Sequence, residues 1–281
     1  MEGGRFGVTV SGVCRKVGIT RQNYYARRQA RQRREVDAGL VVGLVLEERK
    51  RQPRLGTRKL RFMLQGALAQ AGVELGRDRF FEVLRQGGLL LEPLPREYPQ
   101  TTSSYHCLPV FANLVKDLQV RGPNEAWVSD LTFLRTEEGF LYLALVTDKF
   151  SRKIVGHHCG ETLAAAGCVR ALEMALKELP AGAHPIHHSD QGSQYCCHEY
   201  VNALRLRGLR ISMTVQDHCA ENALAERVNG ILKGEYGLGQ KLKTKAQAQQ
   251  LAEQGVRLYN TRRPHTALQY RIPAEVHSLA A

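Results

Sequence analysis

The sequence predicts an α/β protein whose mixed sheet is preceded by a helical region and followed by a helical tail. Apolar residues recur at helical spacing in the first 92 residues, and five prolines interrupt residues 93–123. From Trp127 onward, three strand-forming segments precede alternating helices and strands, an order typical of a mixed sheet with helices on its faces. These changes divide the chain into a helical region at 1–92, a linker at 93–123, an α/β core at 124–236 and a basic helical tail at 237–281.

The N-terminal region begins with the layout of a helix-turn-helix. Residues 10–30 predict a short helix, a turn at Gly18 and a second helix that is capped by Thr20. The candidate DNA-binding residues on the second helix are Arg21, Arg27 and Arg28. An ordinary helical hairpin would show the same pattern, and the later helices of this region could serve equally in DNA binding or in packing.

Positive charge is concentrated in this same region. Residues 1–100 contain 20 Lys and Arg against 10 Asp and Glu, whereas residues 101–281 contain 20 against 17. The net charge of +13 therefore lies mostly in the first third of the chain. Such an asymmetry favours binding to a polyanion such as DNA over a uniformly solvated surface.

The cysteines and the length of the apolar runs indicate the cellular compartment in which the protein is located. The seven cysteines form an odd set without a CxxC pair, which argues against a disulfide framework and against a ribbon-type zinc site. No apolar run approaches the length that spans a bilayer, and the N-terminus lacks a secretion-type signal. We therefore expect a cytoplasmic protein that has no membrane partner. The DNA binding that its positive charge favours would associate it with the nucleoid.

The core shows the order of strands and helices that is typical of the RNase H-like fold. Three consecutive strands come first, and helices then alternate with two short strands before a final amphipathic helix. The predicted strands are 127–134, 140–147, 153–158, 185–189 and 210–213. The predicted helices are 162–179, 197–207 and 221–236.

Three acidic residues of the core stand out for their positions. Asp130 lies inside the apolar-flanked strand WVSDLTFL, where a carboxylate is costly to bury unless something neutralises it. Asp190 follows the strand that ends in HHS, and Glu226 lies in the last helix, with 35 residues between the two. Converging carboxylates can hold two hard cations, which activate the attacking oxygen and stabilise the leaving oxygen in phosphoryl transfer. We predict all three as catalytic residues and metal ligands.

Two other carboxylates compete for these roles. Asp148, in VTDKFSR, suits a turn or a pair with Arg152, and we favour a structural role for it. Glu221 stands at the start of the last helix, where interaction with the helix dipole explains an acidic residue. It therefore ranks below Glu226 as the catalytic carboxylate of that helix.

Side chains near Glu226 and in the tail are candidates for further DNA contacts. Asn229 and Lys233 share the helix face of Glu226 and could contact a DNA backbone. The candidate DNA-binding residues of the tail are Arg262, Arg263 and His265. A purely structural lid is the alternative reading of this part of the tail.

Five segments in the second half of the chain carry a specific resemblance. They are NEAWVSDLTFL, GFLYLALVTDKFSRKIVG, HHSDQGSQY, ENALAERVNGILKGE and YNTRRPHTALQYRIPAEV. Residues 124–276 thereby resemble the integrase core of insertion-sequence transposases, specifically the second-reading-frame (OrfB) product, within the retroviral integrase superfamily. Residues 10–100 resemble the N-terminal region of the same product. One departure is Gln216-Asp217, which stands where relatives often have a glycine-containing turn.

The resemblance implies a DDE transposase whose triad falls on Asp130, Asp190 and Glu226, with two Mg²⁺ (or Mn²⁺) ions per active site. It implies cleavage of a donor strand by water and then attack of the freed 3′-hydroxyl on DNA, without a covalent protein–DNA intermediate. The implied partners are transposon ends, target DNA, an upstream-frame (OrfA) protein or a fusion with it, and further copies of the chain. Because the chain begins where the second frame usually begins, it is expected to be only the catalytic part of the working enzyme.

Two alternative functions share these features. A metal-dependent RNase H-like nuclease would cut DNA without strand transfer. A domesticated copy would be a non-catalytic DNA-binding protein. Joining of a pre-cut 3′-hydroxyl end excludes the first alternative, and salt-dependent binding without metal-dependent cleavage would identify the second.

Overall fold

The computed structural model describes residues 9–93, 107–215 and 222–279. These residues belong to two compact units. The smaller unit comprises the chain up to Lys50 together with Leu60–Leu90. The larger unit comprises Arg51–Lys59 together with the chain from Leu91 onward. The carboxylates that are candidates for catalysis all lie in the larger unit.

Four helices form the N-terminal part of the chain. They are α1 (Val10–Val17), α2 (Arg21–Arg51), α3 (Thr57–Gln70) and α4 (Arg77–Gln86). Gly18 ends α1 in the left-handed conformation, with a φ of 70°, which glycine adopts without strain. The Thr20 hydroxyl accepts a hydrogen bond from the N–H of Asn23 at 3.1 Å, so the predicted helix cap is confirmed.

Helix α2 continues without interruption from the predicted turn-helix segment into the apolar stretch beyond residue 35. Its 31 residues are rich in Arg, Gln and Ala, which are good helix formers. The basic run therefore favours continuation of the helix. The smaller unit has its own buried apolar core. That core includes Val41, Val45, Leu60, Phe80 and Leu84.

The larger unit contains a mixed five-stranded sheet. Its strands are β1 (Ala126–Thr136), β2 (Gly139–Asp148), β3 (Ile154–Gly160), β4 (Ile186–Ser189) and β5 (Arg210–Met213). The spatial order is β3-β2-β1-β4-β5. Strand β2 pairs antiparallel with both β1 and β3, whereas β4 runs parallel to both β1 and β5. This topology confirms the predicted RNase H-like fold.

Helices cover both faces of this sheet. They are α5 (Ala165–Lys177), α6 (Ser193–Cys196), α7 (His198–Leu206), α8 (Ala223–Glu235), α9 (Lys245–Thr261) and α10 (Pro273–Leu279). Neighbouring residues of β2 point to opposite faces, so Ala144 packs with Leu172 of α5 while Leu143 packs in the other core with Val228 of α8 and Val256 of α9. Burial on both faces explains why β2 is almost continuously apolar. Within the described ranges no helix is long and apolar enough to cross a membrane.

Helix α5 approaches the sheet closely at Gly156 of β3. A Cβ atom added there would lie 2.0 Å from the carbonyl oxygen of Ala171 and 3.0 Å from the backbone nitrogen of Ala175. Gly156→Ala should therefore push α5 away from the sheet and lower the free energy of unfolding by about 1–3 kcal/mol, as overpacking usually does. Chemical denaturation monitored by circular dichroism would measure the loss.

The matched control for this change is Gly234→Ala on α8. A Cβ at Gly234 meets nothing within 4 Å, and the residue is helical, so alanine should leave stability unchanged or raise it by up to about 1 kcal/mol. Equal stabilities for the two variants would show that α5 does not press on β3 as closely as the structure indicates.

Candidate active site

Asp130 and Asp190 lie side by side because of the strand register. Strands β1 and β4 are parallel, and Val128 pairs with His188. Two residues further along each strand bring Asp130 and Asp190 to the same level, and adjacent strands are about 4.8 Å apart. The chain thus places two carboxylates next to each other where β4 ends.

Both carboxylates are held by hydrogen bonds. One oxygen of Asp130, Oδ1, accepts from the N–H of Leu131 at 2.9 Å, and the other, Oδ2, accepts from the side-chain amide of Asn229 at 2.7 Å. Oδ1 of Asp190 accepts from the N–H of Gly192 at 3.0 Å, in the turn that leads into α6. These contacts orient the carboxyl groups before any ligand is present.

The electrostatic environment of Asp130 disfavours its charged form. Burial raises the pKa of Asp130 to about 7, and the charges of Asp190 and Glu226 add to the increase, while the hydrogen bond from Asn229 opposes it. Burial and the charge of Asp190 also raise the pKa of Glu226, on α8. Mutual repulsion of this kind is what a bound divalent cation would relieve, so the donor set suits a hard cation.

The three carboxylates share a region without forming a closed ligand cluster. Over the described parts of the chain, no group of three His, Cys, Asp or Glu side chains is arranged to hold one metal ion. Asp130 and Asp190 are partly buried, whereas Glu226 is exposed on the surface of α8 and has room to reorient. The structure thus brings the two aspartates together and places the glutamate nearby.

Lys233 lies two turns beyond Glu226 on the same helix. Its ammonium group is 4.3 Å from the centre of the Phe133 ring on β1. Burial lowers the pKa of Lys233, and the charge of Asp130 partly offsets that effect. Lys233 is thus a half-buried cation close to the candidate carboxylates, in a position that suits contact with a phosphate.

The remaining predicted DNA contacts divide into exposed and buried residues. Arg21, Arg27 and Arg28 are exposed on α2, as a DNA-binding role requires. Arg262 is half-buried. Asn229 is buried, and its side-chain amide donates a hydrogen bond to Asp130. The amide therefore contacts a candidate catalytic residue, where a DNA contact was predicted.

The predicted DNA contacts of Arg263 and His265 need correction. The side chain of Arg263 is 2% exposed, and its guanidinium donates two hydrogen bonds to Glu235, at 2.7 and 2.8 Å. The His265 ring packs edge-on against Tyr259, with ring centres 5.0 Å apart, and burial lowers its pKa to about 3. Both residues are therefore structural parts of the larger unit.

Asp148 has the structural role that was favoured for it. Its carboxylate is fully buried and accepts hydrogen bonds from the N–H and hydroxyl of Ser151, at 2.7 and 2.6 Å, and from the N–H of Asn124 at 2.8 Å. These bonds hold the turn between β2 and β3. Glu221, the other competing carboxylate, lies outside the described residues.

A cluster of buried polar side chains adjoins the candidate carboxylates. His187 is fully buried, and its Nε2 lies 2.7 Å from the Ser129 hydroxyl and 2.8 Å from the Tyr200 hydroxyl. Asn222 is buried, and its side-chain amide donates to the carbonyl of Ser129 at 2.9 Å. Sequence reasoning missed Ser129 and Tyr200. For Ser129 the available signal is its position, because it precedes Asp130 on β1.

Comparisons with known proteins agree with this architecture. Two models described as integrase core domain match residues 120–219 and 207–273. A Shigella sonnei protein of insertion element IS600 is 32% identical over 277 residues, which cover 96% of this chain and all of that protein. The Escherichia coli transposase InsF of IS3A is 38% identical over 153 residues, or 54% of this chain and about half (53%) of that protein. Among solved structures, the HTLV-2 integrase catalytic core domain in complex with magnesium is similar at 19% identity, with a TM-score of 0.45, over 56% of this chain and 99% of that one.

Proposed function

The chain belongs to the insertion-sequence transposases with a DDE integrase core, and we propose from this premise that it cuts and joins DNA strands at the ends of an insertion sequence. One observation carries the proposal for this chain. Asp130 and Asp190 stand level on adjacent parallel strands, and burial together with the charges of Asp190 and Glu226 disfavours ionisation of Asp130. Such a site is stabilised strongly by a bound multivalent cation, because the cation offsets the repulsion between the carboxylates.

The proposed roles follow from the positions of the side chains. Asp130, Asp190 and Glu226 would hold Mg²⁺ or Mn²⁺, with two ions per site. When bound, the ions supply positive charge to the attacking and the leaving oxygens. Lys233 would contact a DNA phosphate next to the site.

The chemistry needs no protein nucleophile and no energy source. Hydrolysis of one phosphodiester bond at the donor end leaves a 3′-hydroxyl and a 5′-phosphate. In the second step, that 3′-hydroxyl attacks a target phosphodiester, so one bond forms as one breaks and a target 3′-hydroxyl is released. The protein's part is to orient the DNA and to supply charge, which is how phosphoryl transfer is generally accelerated.

The partners follow from the reaction. The DNA substrates would be transposon ends and a target, and the exposed Arg21, Arg27 and Arg28 would contact the backbone of one of them. Two ends must be held at once, which favours a homo-oligomer on DNA, and an upstream-frame protein or fusion would assist in recognising the ends. Such substrates would place the protein on the bacterial nucleoid.

Strand transfer by a labelled oligonucleotide with a 3′-hydroxyl end, in Mg²⁺ or Mn²⁺, tests this proposal. Asp130→Asn, Asp190→Asn and Glu226→Gln should each lower joining by about 1,000-fold or more, since each removes several kcal/mol of charge stabilisation. Glu178→Gln, which changes an exposed carboxylate of the same unit, should leave joining unchanged.

The other outcomes identify the alternatives. Metal-dependent cutting without joining would indicate the nuclease. A folded, DNA-binding wild type that shows no cleavage in either metal would indicate a non-catalytic protein, provided that fusion to the upstream frame restores nothing.

A further inference from the structure

Two asparagines flank Glu226 on one face of α8. Asn222 precedes it by four residues and Asn229 follows it by three, so all three side chains lie along the same stripe of the helix. Both asparagines are buried, with 4% and 5% of their surface exposed, whereas Glu226 between them is exposed. Buried polar residues on both sides of an exposed acidic residue are unusual for an amphipathic helix.

Both asparagines bind consecutive residues of β1. The amide of Asn222 donates to the carbonyl oxygen of Ser129 at 2.9 Å, and the amide of Asn229 donates to Oδ2 of Asp130 at 2.7 Å. A single hydrogen bond would leave the helix free to rotate or slide on the strand. Two bonds, seven residues apart on the helix, fix both its rotation and its position along β1.

The amide N–H groups account for the choice of asparagine. The side-chain oxygens of Asn222 and Asn229 are both buried and accept no hydrogen bond from any residue in the described ranges. Each amide N–H, in contrast, satisfies an acceptor of β1 that an apolar residue would leave without a donor. The contribution of each side chain is therefore its donor contact with β1.

We propose that Asn222 and Asn229 form a two-point tether that holds the helix of Glu226 against β1 in the geometry that a divalent cation requires at Asp130. This proposal rests on the metal chemistry of the proposed function. Both residues are positioning residues, because they act through the carboxylates. The Asn229 amide and the Leu131 N–H each occupy one acceptor site of Asp130, and the remaining lone pairs stay available for a cation.

Mn²⁺ binding to the full chain without DNA, measured by electron paramagnetic resonance, tests the tether. Asn229→Leu should weaken Mn²⁺ binding by about 10–100-fold, the usual effect of removing a group that orients a metal ligand. Asn222→Leu should weaken it less, because its contact is to the backbone beside Asp130. Both variants also leave an acceptor of β1 without its donor, so the metal-free protein should melt at a lower temperature in each. The test is therefore whether Mn²⁺ affinity falls further than it does in a control variant that loses a comparable hydrogen bond elsewhere.

Asn260→Leu is the matched control. Asn260 also donates its amide to a backbone carbonyl, that of Ile154 at 2.8 Å, but it does so at β3, away from the carboxylates. Its replacement should change Mn²⁺ affinity by less than about twofold, well below the effect expected for an orienting residue.

The outcomes separate the tether from the proposed function. Wild-type Mn²⁺ affinity in a folded Asn229→Leu protein would overturn the tether. If that variant does not fold, Asn229→Ala decides by the same measurement, and failure of both to fold would assign Asn229 to stability alone. If the wild type binds no more Mn²⁺ than Asp130→Asn, the proposed metal chemistry itself is wrong.

Discussion

Asp130→Asn should make the metal-free protein more stable at pH 8 while it abolishes strand transfer. In the folded wild type, burial and the charges of Asp190 and Glu226 raise the pKa of Asp130 to about 7 from an ordinary value of 3.8. Ionising this carboxylate therefore costs free energy in the folded state that it does not cost in the unfolded chain. Asparagine has nearly the same shape and keeps a carbonyl oxygen, but it never ionises.

The pH dependence has a definite sign. Because the folded state binds the Asp130 proton more tightly than the unfolded state does, the wild type loses stability as the pH rises from about 4 to about 7. The full loss is present above pH 7, and the two pKa values limit it to about 4 kcal/mol. Asp130→Asn should thus match the wild type at pH 4 and melt several degrees higher at pH 8.

Thermal denaturation in a chelating buffer at pH 4, 6 and 8 would measure this difference. Adding Mg²⁺ at pH 8 should stabilise the wild type and leave Asp130→Asn unchanged, because a ligand stabilises only a fold that binds it. Glu178→Gln should show none of this pH dependence. If the difference in stability between the wild type and Asp130→Asn is constant from pH 4 to pH 8, burial and the neighbouring charges do not raise the pKa of Asp130.

The position of the carboxylates could be predicted because each one breaks a local pattern. Asp130 interrupts an apolar strand, and Asp190 follows the end of another strand. Both residues could therefore be identified as candidates from the sequence alone. The order of the elements also predicted a mixed sheet. The adjacency of Asp130 and Asp190 could not be read directly, because β1 and β4 pair in parallel across 49 intervening residues and the register is set by packing on both faces.

The errors fall on residues whose partners are distant in sequence. Arg263 and His265 follow a helix, and the residues around them in the sequence do not indicate that they are buried. Arg263 pairs with Glu235, which lies 28 residues earlier in the chain. One signal did exist. Glu235 is the last residue of α8, where the helix dipole disfavours a negative charge, and such a residue requires a cationic partner. Asn229 was placed near the site correctly, but the sequence could not show that its amide faces Asp130 and not DNA.

Glu235→Gln is the substitution expected to cost the most stability. Its carboxylate receives two hydrogen bonds from Arg263, at 2.7 and 2.8 Å, and one from Lys59 at 2.9 Å. The three side chains are largely buried, with exposures of 19%, 2% and 14%. Burial alone would raise the pKa of Glu235, but the hydrogen bonds and charges of both cations lower it below its ordinary value. The carboxylate is thus ionised and is the shared anionic partner of two buried cations.

Removing that charge leaves the cations without compensation. Breaking a buried ion pair on one side typically costs about 3–5 kcal/mol, whereas an exposed pair contributes at most about 1 kcal/mol. Glu178→Gln, which removes the exposed partner of Lys153, is therefore the matched control, and denaturant unfolding should separate the two variants clearly. A loss below 1 kcal/mol for Glu235→Gln would show that water reaches the triad.

A triple replacement distinguishes charge from packing. In Lys59→Met/Glu235→Leu/Arg263→Met, all three charges are gone and side chains of similar length remain, so nothing charged is left buried. Such replacements are often neutral or stabilising, and the triple variant should be more stable than Glu235→Gln although it carries more changes. If the triple variant is the less stable of the two, the bidentate geometry of Arg263 contributes more than the burial of its charge costs. In that case the ion pairs among Lys59, Glu235 and Arg263 themselves stabilise the contact between α8 and the tail.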